Sequence, residues 1–295
     1  MTSRGMRRLF VCMVLALIAF EAFAASPRAL RKQLVASMVV TGSVLIDTDG
    51  SVAEWALDQR EALPGEVVNL VAQTVPTWRF EPIEIDGRPV RGDARMSLRI
   101  LASPSEDEGS FQITVADGRF GRDALTKSER EAKGLTHHFV TAESMQPPAY
   151  PALALRTNVQ GTVYLALRVD RQGAVVDAMV EQVNLRTVGS QVEQERMRRL
   201  LARPALEAAR GWRFRAPREG DSARQDEWTV RIPVSFHLGT HVAESRYGQW
   251  ESYLPGPRQP VPWRTPEEPF SPDLLADNEV HQAGTSIRLL SPIGG

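Results

Sequence analysis

Cysteine is almost absent from this chain of 295 residues, Cys12 being the only one. It sits in an apolar stretch near the N-terminus, so the remainder offers no disulfide, no thiolate nucleophile and no zinc–thiolate site. Lysine is scarce too, occurring only as Lys32, Lys127 and Lys133, and arginine carries nearly all the positive charge. Neither sign is in excess: 35 Lys+Arg face 36 Asp+Glu. That balance excludes a polybasic nucleic-acid binder and a polyacidic tail protein. No apolar run reaches the roughly 20 residues needed to cross a bilayer as a helix. Also missing are the Gly-x-Ser-x-Gly elbow, the phosphate loop and the dinucleotide fingerprint, which removes the enzyme classes that depend on them.

What is present begins with an address. Arg4, Arg7 and Arg8 precede an uncharged run over residues 9–20, and Ala22-Phe23-Ala24 follows Glu21. A positive start, a short apolar run and small residues at a cleavage site describe a secretory signal peptide over residues 1–24. The rival reading is an anchor that is retained. Glu21 inside a membrane span would cost about 3 kcal/mol, which disfavours it. The expectation is export to the periplasm.

Three signals then occur twice in the same order. Val40-Thr41-Gly42-Ser43-Val44 is matched by Val159-Gln160-Gly161-Thr162-Val163, Asp49-Gly50-Ser51-Val52 by Gln172-Gly173-Ala174-Val175, and Trp78-Arg79-Phe80 by Trp212-Arg213-Phe214. Each copy predicts strand, turn, strand, helix, strand. In the first copy Val44 and Ile46, then Ala53, Trp55 and Leu57, form the hairpin. Val67, Val71 and Val75 stripe a helix between Pro64 and Pro76, and Met96, Leu98 and Ile100 alternate on the last strand. In the second, Val163, Leu165, Leu167 and Val169 give a half-buried strand, and Val176, Ala178 and Val180 face inward on its return. A helix over 191–210 follows, kinked or divided at Pro204. The last strand alternates through Trp228, Val230, Ile232, Val234 and Phe236. The expected domains are 25–102, a linker over 103–135 with a small hairpin about Asp117-Gly118, 136–238, and a proline-rich, partly disordered tail over 239–295. That tail shows no sustained period.

The second copy carries further marks: Pro148-Ala149-Tyr150-Pro151 before the Gly161 strand, the Asp170–Gly173 turn, Trp212-Arg213-Phe214, and Val230-Arg231-Ile232-Pro233-Val234-Ser235-Phe236. Together they resemble the C-terminal domain of the TonB family of energy transducers, the periplasmic module that grips outer-membrane transporters. The resemblance covers about residues 146–238, with a weaker echo over 38–101. It implies an α+β fold of two tandem TonB-C-like units, each a small antiparallel sheet of about three strands packed on a helix, followed by the tail. It also implies that the strand over 227–234 lies at a sheet edge. The chain departs from that family at its start: residues 25–40 hold one proline, Pro27, where the transducer has a long proline-rich spacer. Energy transduction would require the N-terminal segment to be kept as an anchor.

The expected activity is binding rather than catalysis, with no cofactor and no metal. The edge residues Glu227, Trp228, Thr229, Val230, Arg231 and Ile232 are the candidate site. An extended segment of a periplasmic protein, with an outer-membrane transporter as candidate, would add there as a further strand. Pro233 limits the docking length, and Thr229 and Arg231 would supply selectivity. The alternative is an envelope scaffold or self-associating protein whose edges are covered by each other or by the tail. Nucleic acid is not an expected partner; peptidoglycan contact through Arg196, Arg198, Arg199 and Arg203 competes with a solvated helix face. His137, His138, His237 and His241 are surface or strand-end residues rather than a zinc site. Trp78 and Trp212 are core wedges rather than stacking platforms. Tyr247, Trp250 and Tyr253 dock either on the chain's own sheet or on a partner.

Overall fold

The computed structural model describes residues 33–105, 110–238, 247–263, 274–275, 279–284 and 287–294. The expected signal peptide and His241 lie outside them. The chain is α+β, with mostly antiparallel sheets and few helices. A first group of elements comprises β1 (Val35–Ile46), β2 (Val52–Leu57), α1 (Gly65–Thr74), β3 (Ile83–Ile85), β4 (Arg88–Val90), β5 (Gly92–Pro104) and β6 (Phe111–Phe120). Helix α2 (Lys127–Ala132) and β7 (Thr141–Ser144) lead to a second group: α3 (Ala152–Arg156), β8 (Gly161–Asp170), β9 (Val175–Leu185), α4 (Gln191–Ala209), β10 (Arg213–Arg215) and β11 (Glu227–Phe236). Beyond them lie β12 (Glu251–Tyr253) and β13 (His281–Gln282).

The first large sheet runs β12-β1-β5-β6, with β2 beside β12 on the same edge of β1; the second runs β13-β11-β8-β9, and β7 with β10 and β3 with β4 form two-stranded sheets. The repeated residues perform the same local work in both. Gly50 and Gly173 take φ of 82° and 77° in the hairpin turns, a region only glycine enters at low cost. Each turn is closed in the same way: Gly50 N–H donates to Asp47 O at 2.9 Å, and Gly173 N–H to Asp170 O at 3.0 Å. The same glycines accept from Phe80 N–H (2.8 Å) and Phe214 N–H (2.9 Å), tying each Trp-Arg-Phe segment to its hairpin. Side chains on Gly42 and Gly161 would collide with the return strands, their Cβ atoms lying 2.1 Å from Ala56 O and 2.3 Å from Asn184 O.

Two apolar cores follow from the alternation. Val44, Ile46, Val67, Val71, Val75, Met96, Leu98 and Ile100 are fully buried in the first. Trp78 is 0% exposed there and meets Phe120 edge-on at 5.3 Å. Val163, Leu165, Leu167, Val169, Val230 and Ile232 fill the second, with Trp212 3% exposed. Both tryptophans are wedges between helix and sheet.

Several expectations are corrected. Ala53 and Val176 face outward: β-bulges leave each as an extra residue, so Val52 and Val175 turn to the cores instead. The hairpin about Asp117-Gly118 does not form. Phe111–Phe120 is one strand paired to β5 from Met96 to Pro104, so this part of the presumed linker extends the first sheet. Pro204 lies inside an undivided α4. The capping box of Ser190 and Glu193 and the buried stripe of Met197, Leu201, Ala205 and Ala209 outweigh the roughly 3 kcal/mol that an internal proline costs. Strand β8 is buried on both faces, Thr162, Tyr164 and Ala166 included, rather than on one.

Candidate partner-binding edges

Strand β11 pairs with β8 along its whole length, from Glu227 opposite Asp170 to Phe236 opposite Gly161. Its other edge is the sheet's outer edge, and there β13 pairs at Val230 and Arg231. Ala283 N–H donates to Thr229 O at 3.0 Å, so the odd-numbered residues of β11 turn their backbone groups outward. Pro233 therefore lacks its N–H on the outer side, where the sheet does not need it; it interrupts an added ladder at one position rather than ending it, because the Ser235 N–H two residues on also turns outward. The chain's own residues thus occupy part of the edge that was the candidate site.

The six candidate residues share the strand but not the same surroundings. Glu227 pairs with Arg168 at 3.1 Å in solvent. Trp228 is buried and donates from Nε1 to Ser222 O at 2.9 Å. Val230 and Ile232 are core residues. Thr229 is half-buried. Arg231 is not a surface selectivity residue: it is 7% exposed, and its Nε and Nη2 reach Glu181 at 2.6 and 3.2 Å. Because β8 lies between β11 and β9, that bridge passes over Ala166, the residue opposite Arg231, whose methyl leaves room for it.

Glu181 is the residue that pattern reading missed. It is the extra residue of a second bulge in β9, and its carboxylate, 1% exposed, also takes Arg258 at 2.8 Å. The signal was a charged side chain among Val180, Gln182 and Val183. Its backbone carbonyl accepts from Gln259 N–H at 2.7 Å, so one position fixes both β11 and the tail. His281 and Gln282 were missed as well. Gln282 accepts from Val140 N–H at 2.8 Å and donates to Ser222 Oγ at 2.9 Å, and both residues are buried.

Other edges receive the same treatment. β12 pairs with β1 at Val35–Ser37. One residue later, Leu254 exchanges two backbone hydrogen bonds with Leu185, at 3.0 and 2.7 Å. The tail therefore crosses from the edge of the first sheet onto the edge of the second. Arg198, expected on a solvated helix face, donates to Val183 O and Pro255 O at 3.3 and 3.1 Å. Of the tail aromatics, Tyr253 is buried, Trp250 is exposed, and Tyr247 packs on the first core and donates to Asp58 O. Asp58 Oδ2 is held by Arg95 at 2.7 Å; that hydrogen bond, with Thr41 adding another, keeps its carboxyl below the usual aspartate range against partial desolvation. Burial raises the Tyr247 phenol.

Among the described residues, no three His, Cys, Asp or Glu side chains gather as metal ligands. No helix among them is long and apolar enough to cross a membrane. Comparison with family models, curated proteins and solved structures returns no match.

Proposed function

We propose that this chain is a non-catalytic periplasmic binding module, built from two tandem units related to the TonB C-terminal domain. It captures an extended segment of another protein by strand addition along the outer edge of β11. One observation carries the reading: on a ten-residue strand, outer-edge backbone pairing among the described residues is confined to three positions, Thr229 to Arg231. A partner strand that displaces β13 trades a short ladder for a longer one, at about 0.5–1.5 kcal/mol net per hydrogen bond. The doubled Gly42/Gly161, Gly50/Gly173 and Trp78/Trp212 contacts support the tandem part of the reading. The candidate partner is a periplasm-facing segment of an outer-membrane transporter, with selectivity drawn from Thr229 and the residues flanking it.

A second reading, an envelope scaffold closed on itself, is favoured by the tail segments lying on β1, β9 and β11. Titrating the full-length exported protein with fluorescent transporter-derived peptides separates the two. Strand addition predicts saturable binding that weakens about tenfold when Ser235→Pro removes an outward N–H, worth one hydrogen bond to a charged or well-aligned acceptor. Absence of binding, or equal binding by a folded Ser235→Pro protein, favours the closed scaffold.

A further inference from the structure

Near the C-terminus the side chains alternate over residues 287–294, with a single bridge at Leu289, a bend at Ser291 and a turn at 293–294. Ile287, Leu289, Ser291 and Ile293 are half-buried, while Arg288, Leu290, Pro292 and Gly294 are exposed. This run lies along the Trp-Arg-Phe segment of the first sheet. Glu81 N–H donates to Arg288 O at 2.9 Å and Leu290 N–H to Arg79 O at 2.7 Å; Arg79 N–H donates to Ser291 Oγ at 3.1 Å, and Trp78 Nε1 to Ile293 O at 3.2 Å. Ile287, Leu289 and Ile293 pack on the first core. Strand β6 and the residue after it make room for two of them: a Cβ on Gly118 would stand 2.8 Å from Ile293 Cδ1, and one on Gly121 would stand 2.8 Å from Ile287 Cγ1.

The second group of elements has the same arrangement, in the two-stranded sheet of β7 and β10, filled from a different part of the chain. There Phe214 pairs with Ala142 and Arg213 with Ser144, and Trp212 Nε1 donates to Gln146 O at 2.8 Å. Ala142, Ser144 and Gln146 stand to Phe214, Arg213 and Trp212 as Leu289, Ser291 and Ile293 stand to Phe80, Arg79 and Trp78. In the second group that strand is β7, from the segment that leads directly into it. In the first it comes from the far end of the chain.

We propose that the groove along Trp78, Arg79 and Phe80 is a strand-acceptor site for an extended peptide bearing aliphatic side chains at alternate positions. Its resident is this chain's own segment 287–293, bound in cis as an exchangeable pseudo-ligand. The site prefers aliphatic, aliphatic, small hydroxyl and aliphatic residues at successive inward positions, because the glycine-lined slots take Ile287 and Ile293 while Ser291 Oγ meets Arg79 N–H. Charge contributes little: Arg288 and Glu81 pair at 3.5 Å with both side chains 59% exposed. The proposal shares the strand-addition mode of the functional reading but concerns a different edge.

The test uses the full-length protein. In Leu289→Asp/Ile293→Asp the resident segment no longer fits, and a labelled peptide with the sequence of residues 287–295 is titrated against it. The peptide binds the variant at least about tenfold more tightly than wild type, whose groove is occupied. A scrambled peptide does not bind, and adding Gly118→Val to the variant abolishes binding. Equal binding to variant and wild type, no binding to either, or equal binding of the scrambled peptide overturns the proposal. So does a wild-type dimer in light scattering that dissociates in the variant, since the occupant would then come from a second copy. If the variant proves unfolded by circular dichroism, amide exchange on wild type decides. The Glu81 and Leu290 amides should exchange together through a local opening, ahead of β5; exchange only with β5 refutes exchangeability. Transporter-derived peptides titrated against wild type, whose Trp78 groove is occupied by residues 287–293, report on β11, so failure at one edge is distinguishable from failure at the other.

Discussion

Replacing Glu181 with glutamine removes a charge from a carboxylate that is 1% exposed and holds two guanidinium groups. Arg258 can answer by turning to solvent, since its side chain is already 39% exposed. Arg231 cannot: its side chain is 9% exposed and crosses β8 within the sheet. Its Nε and Nη2 then face an amide with one carbonyl oxygen in place of a carboxylate. Breaking a buried pair from one side costs about 3–5 kcal/mol, and the remaining carbonyl puts this case near the lower figure. Against a typical stability of about 5–15 kcal/mol that is a large share. Urea unfolding followed by tryptophan fluorescence should show the midpoint falling by about 1–3 M, given slopes of roughly 1–3 kcal/mol/M. The double variant Glu181→Met/Arg231→Met removes both charges and should return to within about 1 kcal/mol of wild type, because apolar replacement of a buried pair is commonly neutral or stabilising. A loss below about 1 kcal/mol in Glu181→Gln would refute the reasoning, since Arg231 would then not depend on the Glu181 charge.

Two further outcomes are expected. Trp212→Ala empties a site that is 3% exposed and loses the Nε1 hydrogen bond to Gln146 O, so it should cost about 3–5 kcal/mol in the same urea assay; near-neutral stability would mean that Trp212 is not a wedge. Asp58 has a folded-state carboxyl below its ordinary value, so its contribution is complete above pH about 4 and is lost as pH falls through the folded value. The side chain is 38% exposed, which screens the effect. Melting temperatures recorded across that window should fall less in Asp58→Asn than in wild type.

The parts of this fold that could be read from sequence are those set by local rules. Period-two alternation along Val163–Val169 and Trp228–Phe236, the valine stripe of α1 and the positive-φ glycines each act over a few neighbouring residues. Bulges escape such reading, because one inserted residue at Ala53, Val176 or Glu181 changes which face follows without altering composition. Asp117-Gly118 carries a turn signal that is overridden by pairing with Leu98 and Arg99 on β5. The candidate residues do share one strand, yet Arg231 looked available because Glu181, which it reaches, lies two strands away. Ile287–Ile293 alternates as a strand should. Its brevity, and the prolines before it, concealed a pairing that depends on Trp78 and Phe80 from the other end of the chain.

The most direct test of strand addition is amide hydrogen exchange of the full-length protein with and without a saturating transporter-derived peptide. The account predicts that the Ser235 amide gains protection while the amides of His281 and Ala283, which face β11, lose theirs as the longer strand replaces β13. Unchanged exchange at Ser235, with β13 still protected in the presence of bound peptide, would contradict it.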